Sequence, residues 1–304
     1  MSAMAFLPDL PLVPGVRRER TAAPARMAGG RVVVDGRSVP FHTAGSAGGP
    51  VAVFLHGWGL RPNSYRAAIE HVARAGCRVV APALPGFGGT RELSGDQRSF
   101  PGYAAWVGRF LDAVGVDRVD LVVGHSFGGG VATQFAHDAG GRAGSLLLAN
   151  AIGSPVWSIR AAEVRTMVER PVWDWGRHLG TDLLHGPGML RILPPIVEDV
   201  VPNLLTNPLG FWRTGQFIRR ADLVGALADL RDRGLPIEVL WSDRDRLVPR
   251  SAFDAVREAA GVEGRVVEGP HAWLVGDPVP LGESALHCLV AAGGLPARCT
   301  PSPD

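Results

Sequence analysis

The 304-residue chain contains no lysine: all 31 of its basic side chains are arginine. That absence removes three classes of chemistry at once, because a Schiff base, a pyridoxal-phosphate anchor and a Walker-type phosphate loop each need the lysine amine. An all-arginine cation set otherwise reflects genome composition. Cysteine is scarce too. Cys77, Cys288 and Cys299 are an odd number at unrelated spacings, which argues for reduced thiols in a cytoplasmic protein and against a disulfide framework. Neither sign of charge dominates. The 29 acidic groups leave a net charge of only +2, so there is no electrostatic basis for a nucleic-acid or acidic-membrane partner. No apolar run reaches the roughly 18 residues that a membrane span needs. The start, MSAMAFLPDLPLVPGVRRER, carries its basic cluster after its interrupted apolar residues, the reverse of a secretory signal. The expectation is a soluble, cytoplasmic protein.

What is present is a regular alternation. At 46% hydrophobic content the chain is long enough for one large α/β domain with an insertion or for two ordinary domains. Residues 1–30 are rich in Pro, Ala and Arg without a period and read as an irregular arm. RVVV (31–34) and SVPFHTA (38–44) flank Asp35-Gly36, a hairpin signal. VAVFL is a continuous apolar run of the kind that a buried parallel strand shows. Pro62–Ala75 reads as a helix, with Asn63 and Ser64 offering cap chemistry. CRVVAPAL, DLVVGH and SLLLAN read as further strands, separated by helices over Tyr103–Val114 and Gly128–Ala139. From Ser154 to residue 235 the pattern becomes helical, Pro-punctuated and aromatic. The strand rhythm then returns with PIEVLWSD, a helix over Ser251–Ala260, RVVEG and a closing helix over Leu281–Ala292. This predicts a doubly wound, mostly parallel sheet formed by 31–153 and 236–294, a helical insertion at 154–235 and a tail at 295–304.

The stretch VVGHSFGGG (122–130) sets Ser126 between glycines at the end of a strand and the start of a helix. With 40 glycines in the chain, G-x-S-x-G arises by chance about once in four such sequences, so the strand-turn-helix context carries the weight. A turn this sharp forces Ser126 toward positive φ and requires small neighbours at Gly124 and Gly128. The hydroxyl is then exposed beside a helix N-terminus, where N–H groups stabilise negative charge.

At this point the chain resembles the α/β-hydrolase fold family over most of residues 31–294. The resemblance implies a fixed order of serine, acid and histidine. It implies that HGWG (56–59) supplies half of an oxyanion hole, so that the backbones of Trp58 and Phe127 hold the charge of a tetrahedral intermediate. PGFGGT (85–90) is similar to the family's turn after the next strand. WSDRDRLVP offers Asp243 and Asp245 as the acid. The family pattern of an Asp two or three residues ahead of Val-Pro favours Asp245, leaving Asp243 to a turn or a surface ion pair. Some relatives carry the acid after an earlier strand, but Asn150 stands there and cannot ionise. EGPHAWLVGDP puts His271 past the last strand, where the resemblance implies the base.

The other histidines carry less. His56 and His125 flank Gly turns and are expected to pack and hydrogen-bond backbone; His178 and His185 are expected on the surface of the insertion. No metal and no organic cofactor is implied. The expected activity is that of a serine hydrolase acting on a carboxylic ester of a small or medium apolar substrate, a small-molecule partner, through an acyl-enzyme. HGWGL with PGFG is more similar to the carboxylesterase branch, including the methyl-ester esterase of biotin synthesis, than to carbon–carbon bond hydrolases, whose oxyanion loop is smaller. Hydrolysis of a carbon–carbon or lactone bond and perhydrolysis remain alternatives on the same residues, and a triad-retaining ligand sensor remains a further one. The insertion is expected to cap Ser126 and to select apolar substrates through Trp157, Trp173, Trp175 and Trp212.

Overall fold

The computed structural model describes residues 26–157, 165–166 and 189–294. Of the expected arm only residues 26–30 are described, and the tail 295–304 lies outside. The first strands, β1 (Ala28–Val34) and β2 (Arg37–Ala44), form the hairpin expected at Asp35-Gly36. Both loop residues hold positive φ, 51° and 70°, as a two-residue type I′ turn requires. β1 starts three residues before RVVV, because Ala28, Gly29 and Gly30 also pair with β2.

The apolar runs then form β3 (Val51–Leu55), β4 (Arg78–Pro82), β5 (Leu121–His125), β6 (Leu146–Ala149), β9 (Ile237–Ser242) and β10 (Arg265–Val267). A separate two-residue pair, β7 (Val156–Trp157) and β8 (Arg165–Thr166), stands apart from them. The main sheet has the order β1-β2-β4-β3-β5-β6-β9-β10, and every pairing from β4 to β10 is parallel. This is the doubly wound, mostly parallel sheet that the alternation predicts, and it has the α/β-hydrolase fold that the resemblance implies. Side-chain alternation splits the core in two. Val53 and Leu55 of β3 face one cluster, while Ala52 and Phe54 face the other.

Helices α1 (Arg66–Arg74), α8 (Trp273–Gly276) and α9 (Val279–Ala291) cover the second cluster. The first is covered by α2 (Phe100–Ala113), α3 (Phe127–Asp138), α6 (Val224–Asp232) and α7 (Arg250–Ala260). Between β8 and α6 lie α4 (Met189–Thr206) and α5 (Pro208–Ile218). Among the described residues no helix is long and apolar enough to cross a membrane.

Two helix starts differ from expectation. Pro62–Tyr65 is a 3-10 turn ahead of α1, and neither Asn63 nor Ser64 caps the helix. The Ser64 hydroxyl instead bonds the Asp199 carboxylate of α4, a tertiary partner that outcompetes local capping. α2 starts at Phe100, not Tyr103, because Ser99 accepts the Gly102 N–H and Pro101 is tolerated in a first helical turn. Cys77 and Cys288 are buried and unpaired. Burial pushes both thiols up, Cys77 to about 12, so neither is a nucleophile at neutral pH. Cys299 lies outside the described residues.

Candidate active site

Ser126 links β5 to α3 with φ 54° and ψ −120°. A non-glycine residue held there stores of order 1–3 kcal/mol, tolerated where the surroundings over-determine it. They do so here. The Ser126 N–H donates to Ala149 of the neighbouring strand at 3.0 Å, and both motif glycines are sterically required. A Cβ on Gly124 would lie 2.4 Å from the Gly128 carbonyl oxygen, and one on Gly128 would lie 2.1 Å from that of Leu55. The turn therefore seats Ser126 at the N-terminus of α3, beside the Phe127 N–H, which has no intrahelical acceptor.

His271 and Asp245 meet although they lie on different loops. His271 Nδ1 is 2.7 Å from Asp245 Oδ2, and both residues are buried. The same carboxylate accepts the backbone N–H groups of Leu247 and Val248 on Oδ1, at 2.7 and 2.9 Å, and the Asn150 amide on Oδ2. Asn150, at φ 45°, also donates to Ser242 Oγ and accepts the Trp273 indole N–H, each at 2.7 Å. The residue at the alternative acid position is thus a donor to the carboxylate. Asp243 is half-exposed, pairs loosely with Arg244 and accepts the Gly269 N–H at 2.9 Å. It braces the loop that carries His271 and does not reach the imidazole.

Over Ser126 runs the loop His56-Gly57-Trp58-Gly59. A Cβ on Gly57 would lie 2.8 Å from the Tyr65 hydroxyl and 3.1 Å from His125 Nδ1, so glycine lets the loop settle onto these two side chains. Tyr65 holds this loop from below. Its hydroxyl accepts the Gly57 N–H at 3.0 Å and donates to His125 Nδ1 at 2.8 Å, while His125 Nε2 donates to the His271 carbonyl at 3.0 Å. This is the one tautomer that satisfies all three contacts. Burial holds His125 well below the ordinary imidazole range, so the relay is neutral. His56 is also buried, donating to the Gly57 carbonyl and accepting the Leu84 N–H, at 2.9 and 2.8 Å. Burial pulls it down to about 4. The expected backbone bonds of these two histidines are present, and the Tyr65 contact was not foreseen.

A cavity of about 390 Å³ opens above Ser126 and His271, walled by Ile196, Val200 and Leu204 of α4, Phe211 and Trp212 of α5, and Leu247 and Val248. Among the described residues that line it, none carries a permanent charge. Of the four tryptophans expected to bind substrate, Trp212 lines this cavity and is half-exposed. The Trp157 side chain, Trp173 and Trp175 lie outside the described residues, as do His178 and His185. Trp58 reaches the cavity too, its ring 4.2 Å from that of Phe211. A larger groove of about 700 Å³, between the β1–β2 turn, residues 90–98 and Arg213, contains none of the expected site residues. Among the described residues no three His, Cys, Asp or Glu side chains converge as metal ligands.

Comparison with known proteins adds four findings. Residues 50–185 match a family model described as the alpha/beta hydrolase fold. An uncharacterized protein of Mycobacterium tuberculosis is 28% identical, covering 89% of this chain and 88% of its own length. A 2-hydroxy-6-oxo-2,4-heptadienoate hydrolase of Pseudomonas putida is 36% identical, covering 73% of this chain and 80% of its own. Among solved structures, a bacterial membrane phospholipase A superposes with a TM-score of 0.70 at 21% identity, over 89% of this chain and 88% of that one.

Proposed function

Because the chain belongs to the α/β hydrolase fold family, we propose that it is a serine hydrolase that cleaves carboxylic esters of small to medium apolar substrates. His271 Nε2 takes the Ser126 proton as Oγ attacks the ester carbonyl, and Asp245 holds the imidazole in the tautomer that allows this. The backbone N–H groups of Trp58 and Phe127 stabilise the oxyanion. The tetrahedral intermediate collapses as His271 returns the proton to the departing alcohol, and water then repeats the sequence on the acyl-enzyme. The reading needs no metal or organic cofactor. Residues 154–235 act as a cap, in which α4 and α5 supply the apolar wall.

The observation that carries this reading is the strained Ser126, opening with His271 onto one apolar cavity while His271 is bonded to the buried Asp245. Ser126→Ala removes the nucleophile without touching the backbone conformation. It is expected to abolish turnover of p-nitrophenyl esters and labelling by a fluorophosphonate, with an unchanged melting temperature. Turnover at the wild-type rate would sink the assignment.

The likeness to the Pseudomonas putida hydrolase supports a second reading, cleavage of a carbon–carbon bond by the same three residues. The bulky Trp58 in the oxyanion loop favours the ester. Faster turnover of a vinylogous 1,5-diketone than of any ester in a graded series would reverse that preference.

A further inference from the structure

One helix touches both the cavity and the oxyanion loop. Along α4, Ile196, Val200 and Leu204 recur every fourth residue and line the cavity. Asp199 and Asn203, also four apart, occupy a different face and are buried at 2% and 7% exposure. Asn203 Nδ2 donates to the Gly59 carbonyl at 2.8 Å, and its Oδ1 accepts the Gly88 N–H at 3.0 Å. The Asp199 carboxylate accepts the Arg61 N–H at 3.1 Å together with the side chains of Arg61 and Ser64. From α5, the Phe211 carbonyl accepts the Trp58 indole N–H at 3.1 Å. Trp58 and Gly59 of the loop, and Arg61 just after it, are therefore each bonded to the helices that wall the cavity.

Covering a cavity requires only apolar contact. A buried carboxylate and a buried amide add a desolvation cost unless every polar atom is met, and what they supply in return is a fixed register between helix and loop. Substrate contact on one face of α4 is thereby tied to loop geometry on another. Binding energy from a remote part of a substrate raises the rate only when it is expressed at the reacting centre, and this tether supplies such a route.

We propose that Asn203 and Asp199 are positioning residues of the oxyanion loop, through which burial of an acyl chain against Ile196, Val200 and Leu204 aligns the Trp58 N–H, so that acyl length is read in kcat as well as in KM. The proposal rests on the ester-hydrolase reading. It predicts that wild-type kcat rises from p-nitrophenyl acetate to the hexanoate while KM falls. Asn203→Leu keeps much of the volume and removes both bonds. Its kcat on the hexanoate is expected to drop about ten- to a hundredfold and on the acetate much less, flattening the kcat series, while KM still falls with length. Asn203→Asp keeps the acceptor for Gly88 and loses the donor to Gly59, so it tests the same flattening if the leucine variant does not fold. Rates are counted per site labelled by a fluorophosphonate. A hexanoate-to-acetate kcat ratio equal to that of the wild type in a folded variant, a flat kcat series in the wild type, or joint loss of length dependence in kcat and KM would each overturn the proposal. Failure of the wild type to hydrolyse esters or to label at Ser126 would instead overturn the ester reading on which it rests.

Discussion

Asp245→Asn exchanges one acceptor oxygen for an NH₂ group, and the structure dictates where that group must go. Oδ1 meets two backbone donors, Leu247 and Val248, which have no alternative state. Oδ2 meets His271 Nδ1 and the Asn150 amide. Asn150 cannot turn its amide without abandoning the Trp273 indole and Ser242. His271 is the one partner that can exchange a donor for an acceptor, by moving its proton from Nδ1 to Nε2. The NH₂ group therefore faces His271 and selects the tautomer that cannot accept the serine proton. The expected loss in kcat is on the order of 10⁴, a barrier increase of about 5 kcal/mol. Asp243→Asn retains an acceptor for the Gly269 N–H on a half-exposed loop, and its effect should stay within about threefold. The measurement is kcat on one p-nitrophenyl ester for both variants, with melting temperatures to confirm folding. An Asp245→Asn enzyme within about tenfold of the wild type, or an Asp243→Asn enzyme that is the worse of the two, would refute the reasoning.

Two further outcomes follow from the buried groups. Tyr65→Phe leaves the Gly57 N–H and His125 Nδ1 without their partner, at about 1–3 kcal/mol for each buried group. Urea melts should show a loss of about 2–6 kcal/mol, and kcat should fall with little change in KM; an unaltered kcat would remove Tyr65 from the support of the proposed oxyanion loop. His56 governs acid stability: an unfolded imidazole binds its proton near ~6.5, whereas burial delays this to about 4 in the folded protein. In that window the unfolded chain binds more protons, so stability is fully present above about pH 6.5 and falls with acid toward pH 4, by about 3 kcal/mol from this group. His56→Gln should flatten the slope of unfolding free energy against pH there by about 1.4 kcal/mol per unit, and an unchanged slope would count against the neutral assignment.

The parts of this molecule that were legible in sequence share a property: each is set by its immediate neighbours. Asp35-Gly36 announces its hairpin because two successive positive φ values are a local demand. VAVFL and DLVVGH announce central strands because both of their faces are buried. Ser126 is marked by the glycines that its own turn needs. Where reading failed, a distant partner had overruled a local preference. Ser64 looks like a cap but serves Asp199, 135 positions away. The start of α2 is the exception: there a local cap, Ser99, begins the helix three residues ahead of the expected Tyr103.

The same division explains why the proposed reacting groups were visible and their supports were not. Tyr65 meets His125 across 60 positions, Asn150 meets Asp245 across 95, and Asn203 meets Gly59 across 144. Neither of the first two pairs leaves a local trace, because a hydrogen-bond partner is chosen by position in space and any side chain of suitable reach will serve. Asn150 shows the limit most clearly. Its inability to ionise excludes it as the acid, and that same property fits it to its place, since a carboxylate there would stand against the carboxylate of Asp245 where an amide donates to it. For Asp199 and Asn203 a signal did exist. They form a polar pair four residues apart inside a helix whose apolar residues Ile196, Val200 and Leu204 keep the same spacing. Polar side chains in a fixed phase beside an apolar stripe are costly unless each has a partner waiting, so that pattern points to a second surface that the helix must grip.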